Sequence, residues 1–224
     1  MFTLYHLPVC PFSRKVRIAL GEKKCAFEPV VELPWEERPE FTALNPGGDV
    51  PVLVVNEGGA VLADSMAICE YLDEIRPEPP LFGAEPLQRA EVRRLVGWFD
   101  GRFNVEVTLN LVGEKLIKRQ MGHPGGPDSR AIRIGYARIR DHLDYVGWLT
   151  ERRRWLAGES FSLADIAAAA HLSAVDYIGD VPWDDYPAVK DWYARIKSRP
   201  SLRPLLADHV PGVAPPRHYA DLDF

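Results

Sequence analysis

The spacing of apolar residues changes once along the chain, and this change predicts two structural regions. In the first region, short β-prone runs alternate with segments of helical period. Residues 56–59 (Asn-Glu-Gly-Gly) separate two of the runs, as in a β-hairpin with a glycine-containing loop. We predict strands at 2–5, 27–31, 50–55 and 60–63, and helices at 11–24 and from 65 to about 75.

A proline-rich connector separates this region from a second one whose period is helical. We predict long helices at about 87–119 and 128–151. Ser162 is followed three positions later by Asp165, the arrangement of a capping box with Asp in place of the usual Glu or Gln. The predicted organisation is an N-terminal domain at 1–78, a linker at 79–86, a helical domain at 87–209 and a tail at 210–224.

Composition excludes several classes of protein. The chain has 224 residues, of which 46% are hydrophobic and 26% charged, as in an ordinary globular protein. Its net charge of −5 argues against binding nucleic acid or anionic membranes through bulk charge. No apolar run approaches 18 residues, so we expect no membrane insertion. Three cysteines without paired spacing suit a reducing compartment, and we expect a cytoplasmic protein.

A cysteine at the junction of the first strand and the first helix is the main chemical candidate. Cys10 precedes Pro11, which suits the first helical position. A thiol there lies near free backbone N–H groups and the positive end of the helix dipole, which can lower its pKa. Cys10 is therefore either a reactive nucleophile or an idle residue at a turn. Ser13 replaces the second cysteine of Cys-x-x-Cys, which leaves a monothiol cycle, and its hydroxyl is an alternative candidate.

Other positions are candidates for local geometry or for a surface. Pro51 interrupts the start of a strand without a turn beside it, so the Val50–Pro51 bond is a candidate for a cis peptide. Asp64 or Ser65 is suited to cap the helix that follows. Trp35 stands in an irregular segment with two prolines and has no periodic apolar partner, which favours either a binding surface or plain packing.

These motifs together resemble the cytosolic glutathione transferases: Cys-Pro at the first helix, Val-Pro before the third strand and Asp-Ser before the next helix. The resemblance implies an α/β thioredoxin-like N-terminal domain followed by an all-α C-terminal domain. It also implies that glutathione, if bound, meets the backbone of Val50 beside Pro51 and the Asp64-Ser65 pair. Asp49 stands where many relatives have Gln, Lys or a neutral residue, and a carboxylate there disfavours the glycine carboxylate of glutathione.

The C-terminal tail sharpens the resemblance. It contains three prolines yet ends in large apolar residues, so it docks either on its own domain or on a partner. Its last seven residues, His-Tyr-Ala-Asp-Leu-Asp-Phe, resemble those of a family of bacterial division proteins with the transferase fold that bind the tubulin-like protein FtsZ. That resemblance implies a cytoplasmic homodimer, found at the division site, that binds FtsZ filaments and regulates their curvature and constriction without catalysis and without a required cofactor.

Two functional hypotheses follow. The first is the FtsZ-binding adaptor, and the alternative is a Cys10-dependent, omega-like glutathione transferase or thiol transferase. A basic stretch of the first long helix, at 115–119, is either a solvated helix face or a surface for an acidic filament. The residues that we assign to a partner-binding surface are Trp35, Lys115, Lys118, Arg119, Tyr219, Asp221, Leu222, Asp223 and Phe224.

Overall fold

The first domain contains a four-stranded sheet in a computed structural model that describes residues 1–222. The strands are β1 (Phe2–His6), β2 (Phe27–Val31), β3 (Val52–Val55) and β4 (Ala60–Ala63), in the spatial order β2-β1-β3-β4. β1 pairs in parallel with β2 and antiparallel with β3, and β3 pairs antiparallel with β4. This is the thioredoxin-like sheet that the sequence predicted.

Three helices accompany the sheet: α1 (Pro11–Glu22), α2 (Pro39–Leu44) and α3 (Ser65–Ile75). The segment predicted to be irregular contains both a short 3-10 turn, Pro34–Glu36, and α2, and each of these begins with a proline. Pro at the first helical position lacks only an N–H that the helix would leave unpaired. The prolines that argued against regular structure here therefore initiate it.

The second domain is helical throughout. Its first helix, α4, is continuous over residues 86–120. Its three parts are Pro86–Gly97, Trp98–Ile117 and Lys118–Gln120, and the middle part has the wider π type of hydrogen bonding. The other helices are α5 (Ser129–Thr150), α6 (Leu163–Tyr177), α7 (Pro187–Lys197) and α8 (Arg203–Leu206). Within residues 1–222, no helix is both long and apolar enough to cross a membrane.

Helix α6 lies at the centre of the second domain, and all of its residues are buried. The predicted capping box is present at its start. The Asp165 carboxylate accepts hydrogen bonds from the backbone N–H of Ser162 at 3.1 Å and of Leu156 at 2.9 Å, and from Trp192 Nε1 at 3.0 Å. Asp165 therefore ties the start of α6 to the turn before it and to α7.

The two domains meet where α1 packs against α6. Several buried residues of α1 contribute to this contact, including Arg14 and Lys15, whose side chains are fully buried. Their charged groups reach partners in the second domain, since Lys15 pairs with Asp100 of α4 and Arg14 donates to Ser173 of α6. Ionic as well as apolar contacts therefore cross the domain interface.

Candidate functional site

A cleft of about 320 Å³ lies between the two domains. One wall is formed by the loops that precede α1 and β3 and by the 3-10 turn, and the opposite wall by the middle of α4. We call it the interdomain cleft, and its defining residues are Cys10, Trp35, Asp49, Asn104, Thr108 and Leu109. Most of its lining side chains are apolar, as in sites for small apolar ligands or apolar side chains of a partner.

Cys10 stands at the N-cap position of α1, as predicted, with backbone angles φ −69° and ψ 120°. Among the described residues, none donates a capping hydrogen bond to its side chain. Its Sγ lies 3.9 Å from the carbonyl oxygen of Val50. The residue keeps some accessible surface, but burial around the sulfur raises the pKa of the Cys10 thiol. Nearby N–H groups and Arg14 oppose this effect without reversing it. Burial at this position therefore favours the thiol over the thiolate.

Ser13 does not face the cleft. Its side chain is fully buried, and its hydroxyl accepts a hydrogen bond from the backbone N–H of Leu7 at 3.3 Å. This burial argues against Ser13 as the alternative catalytic hydroxyl, because the hydroxyl has no exposed surface for a substrate. The helical period did place position 13 on α1, but it did not tell that the Ser13 side chain would turn towards the loop at Leu7.

The positions expected to bind glutathione fit that ligand in part. The Val50–Pro51 peptide bond is cis, and its backbone lies beside Cys10. Ser65 is buried, and Asp64 has a φ of 72° and accepts hydrogen bonds from the N–H groups of Met66 and Ala67. The backbone at Val50 thus has the position that the resemblance implies, while the Asp64 carboxylate already caps α3.

Asp49 is the position that fits least. It lies in the wall of the interdomain cleft, and Asn45 Nδ2 donates to its Oδ1 at 2.7 Å and to its backbone carbonyl at 2.9 Å. These bonds hold a carboxylate at the edge of the cleft, near the place that the resemblance implies for the glycine carboxylate of glutathione. Like charges at short distance disfavour the bound state.

Trp35 is half-buried and separates the interdomain cleft from a neighbouring apolar pocket. This second pocket has a volume of about 320 Å³ and lies between β2 and the tail. Val31, Trp35, Ile117 and Pro211 are among its lining residues. Part of the Trp35 side chain is therefore buried, and the rest of its ring lines the two cavities.

The basic stretch of α4 is largely neutralised within the chain. Lys115 Nζ donates to both carboxylate oxygens of Asp180 at 2.7 Å, and Lys118 pairs with Glu114 at 2.6 Å. Arg119 is exposed. Of the three cations expected to face a partner, two thus already have acidic partners within the chain.

The tail docks on its own domain through Tyr219, which is fully buried and whose hydroxyl donates to the carbonyl oxygen of Leu205 at 3.1 Å. The Tyr219 side chain therefore offers no exposed surface to a partner while the tail is docked. Asp221 is exposed and Leu222 half-buried. Asp223 and Phe224, the last two predicted surface residues, lie outside the described residues.

The sequence did not indicate that α4 would form the far wall of the interdomain cleft. Asn104 and Thr108 line it from adjacent turns of α4, and the Thr108 hydroxyl lies 2.9 Å from Nδ1 of the buried His171. Two polar residues four positions apart on an otherwise apolar helix face were the signal available. Nothing in the period indicated that this face would meet the loop at Cys10.

Two family models match the chain: the N-terminal domain of glutathione S-transferase over residues 4–80 and the C-terminal domain over residues 141–200. The chain is 51% identical to FtsZ-localized protein A of Caulobacter vibrioides, over 99% of this chain and 98% of that protein. Among solved structures, it is similar to a glutathione S-transferase from Rhodospirillum rubrum, with a TM-score of 0.97, 56% identity and full coverage of both chains. It is also similar to FzlA from C. crescentus, with a TM-score of 0.96, 51% identity and coverage of 100% and 99%.

Proposed function

The chain belongs to the glutathione S-transferase family, and we propose that within it this protein is an FtsZ-binding cell division protein rather than a glutathione-dependent enzyme. The observation that carries the proposal is the 51% identity, over nearly the whole chain, with a protein named for its localisation with FtsZ. A fold alone would not support it, because one fold hosts many functions. On this proposal the protein acts in the cytoplasm at the division site, where it influences filament curvature and constriction.

The chemistry of the cleft agrees with a binding role. A glutathione transferase of the cysteine type needs a thiolate, and burial raises the pKa of the Cys10 thiol. Asp49 adds a carboxylate at the edge of the cleft. The apolar lining and the half-buried Trp35 instead suit apolar side chains of a protein partner, since tryptophan is enriched among the residues that dominate binding energy.

A homodimer is part of the proposal. β4 is an edge strand of the sheet, and exposed apolar side chains lie on β4, on α3 and at the start of α4. These are Val61, Ile75 and Leu87, the last with 87% of its surface exposed. A symmetric dimer that covers them would give a sedimentation mass of twice the 25.2 kDa of one chain.

Sedimentation with FtsZ polymers tests the partner. We expect the protein to pellet with polymerised FtsZ and Trp35→Ala to weaken this binding roughly tenfold or more, the size expected for truncating a central tryptophan. Trp148→Ala is the matched control, because Trp148 is 49% exposed but lies on α5, away from the cleft lining. Absence of the unmodified protein from the FtsZ pellet would reject the proposal.

The alternative function, a Cys10-dependent glutathione transferase or thiol transferase, is favoured by the place of Cys10 at the N-cap of α1 in the lining of the cleft. Calorimetric titration with millimolar reduced glutathione separates the two hypotheses. We expect no detectable heat and an unchanged melting temperature. Binding of one glutathione per protomer, followed by activity that Cys10→Ala abolishes, would favour the enzyme instead.

A further inference from the structure

Arg14, one turn into α1, has a fully buried side chain that reaches in several directions. Its Nε donates to the carbonyl oxygen of Pro8 at 2.7 Å. Its Nη1 donates to Ser173 Oγ of α6 at 2.9 Å, and its Nη2 lies 3.6 Å from the Asp208 carboxylate. A buried guanidinium needs such partners, because an uncompensated charge in the interior is costly.

Tyr177 of α6, Tyr219 of the tail and Asp208 complete the surroundings of this guanidinium. The ring centres of Tyr177 and Tyr219 lie 5.8 and 5.9 Å from its central carbon, within the range of cation–π attraction. Tyr219 belongs to the docked tail, and Asp208 stands where the tail leaves α8. Asp208 is also held by Arg17 through two hydrogen bonds, at 2.7 and 2.9 Å.

On its other side, Arg14 holds the loop that shapes both cavities beside Trp35. Residues 7–10 connect β1 to α1, and Leu7 and Val9 line the interdomain cleft as well as the second pocket. The Pro8 carbonyl oxygen, which Arg14 binds, lies in the middle of this loop. One buried side chain therefore contacts both the tail and the loop that forms the wall of the cleft.

We propose that Arg14 is a positioning residue that couples docking of the C-terminal tail to the conformation of the loop at residues 7–10. Undocking Tyr219 removes part of the surroundings of the guanidinium. Arg14 then shifts towards water, and the Pro8 carbonyl loses its donor. Since coupling between two sites is reciprocal, a molecule that alters the loop also alters tail docking. The proposal concerns the isolated chain and does not depend on the identity of any partner.

Cys10 is a reporter within this loop. Alkylation by iodoacetamide is followed by mass spectrometry of the Cys10 peptide, with the partly exposed Cys25 as the internal reference. We expect Tyr219→Ala to raise the Cys10 rate relative to Cys25 by roughly fivefold or more, the size that follows when local opening loses one buried contact. Tyr145→Ala is the matched control, because it removes a partly buried ring of α5 that packs on Trp98 and Trp148 rather than on Arg14, and it should leave the Cys10 rate unchanged relative to Cys25.

A double-mutant cycle tests whether the effect runs through Arg14. Arg14→Lys keeps the charge but removes the planar group that holds Pro8, and we expect it to raise the Cys10 rate as Tyr219→Ala does. The two changes together should add little to either alone, because they break the same link. Additive effects, or an unchanged rate in Tyr219→Ala, would overturn the proposal. If Arg14→Lys does not fold, deletion of residues 218–224 replaces it, with backbone hydrogen exchange at residues 7–10 as the readout. Faster exchange there supports the coupling, and unchanged exchange overturns it.

Discussion

Two helices of this protein begin at residues that the sequence singled out, and they begin in different ways. At the start of α6, Ser162 and Asp165 satisfy the first N–H groups with side-chain oxygens and are buried. At the start of α1, Cys10 occupies the N-cap position, yet within the described chain its side chain accepts no capping hydrogen bond. The start of α6 is therefore capped by side-chain oxygens, whereas the start of α1 carries a thiol that lines an apolar cleft.

This contrast separates stability from function. Asp165 is fully buried and gathers donors from three segments, so its role is to hold the second domain together. Cys10 instead lines the interdomain cleft, beside the backbone of Val50. The helix dipole favours a thiolate at Cys10, but burial favours the thiol and has the larger effect.

The largest effect that would sharpen the comparison is expected at Asp165. Asp165→Ala leaves the N–H groups of Leu156, Ser162 and Trp192 without their acceptor inside the domain. We expect the free energy of unfolding to fall by about 3 kcal/mol or more, since each buried unpaired donor costs on the order of 1–3 kcal/mol. Urea denaturation followed by circular dichroism measures it.

The exposed cap of α5 is the control for that measurement. Asp128 accepts from the N–H groups of Arg130 and Ala131 at the helix start but is exposed to water. Asp128→Ala should cost about 1 kcal/mol, because water replaces the lost oxygen. Equal losses at Asp165 and Asp128 would contradict the buried, connecting role of Asp165.

The second prediction concerns the protonation of Cys10. Because burial raises the pKa of the Cys10 thiol, its alkylation rate should still be rising between pH 7 and pH 9, by roughly tenfold per pH unit as the thiolate fraction grows. Iodoacetamide labelling of the Cys10 peptide across this range measures the profile. A rate that has already reached its plateau at pH 7 would mean a stabilised thiolate, and the enzymatic hypothesis would regain support.

The sequence predicted features that depend on neighbouring residues and missed those that depend on distant ones. The capping box, the hairpin and the cis peptide at Pro51 each follow from a few adjacent positions, and all are present. The burial of Cys10 depends on the face of α4, and that of Tyr219 on Arg14, about 200 positions away in the chain. Local patterns do not encode such contacts, so the sequence predicted the positions of these groups but not their exposure.

The smallest effect is expected at the start of α1, where Cys10 supplies no capping oxygen. Serine is among the favoured N-cap residues, and the backbone of Cys10 already has the extended conformation of an N-cap. The free energy of unfolding of Cys10→Ser should therefore be about 1 kcal/mol higher than that of Cys10→Ala, because the serine oxygen accepts from the first N–H groups of α1. Urea denaturation of both variants gives the difference. Equal stabilities would mean that these N–H groups already have acceptors, and the contrast between the two helix starts would then lie in burial alone.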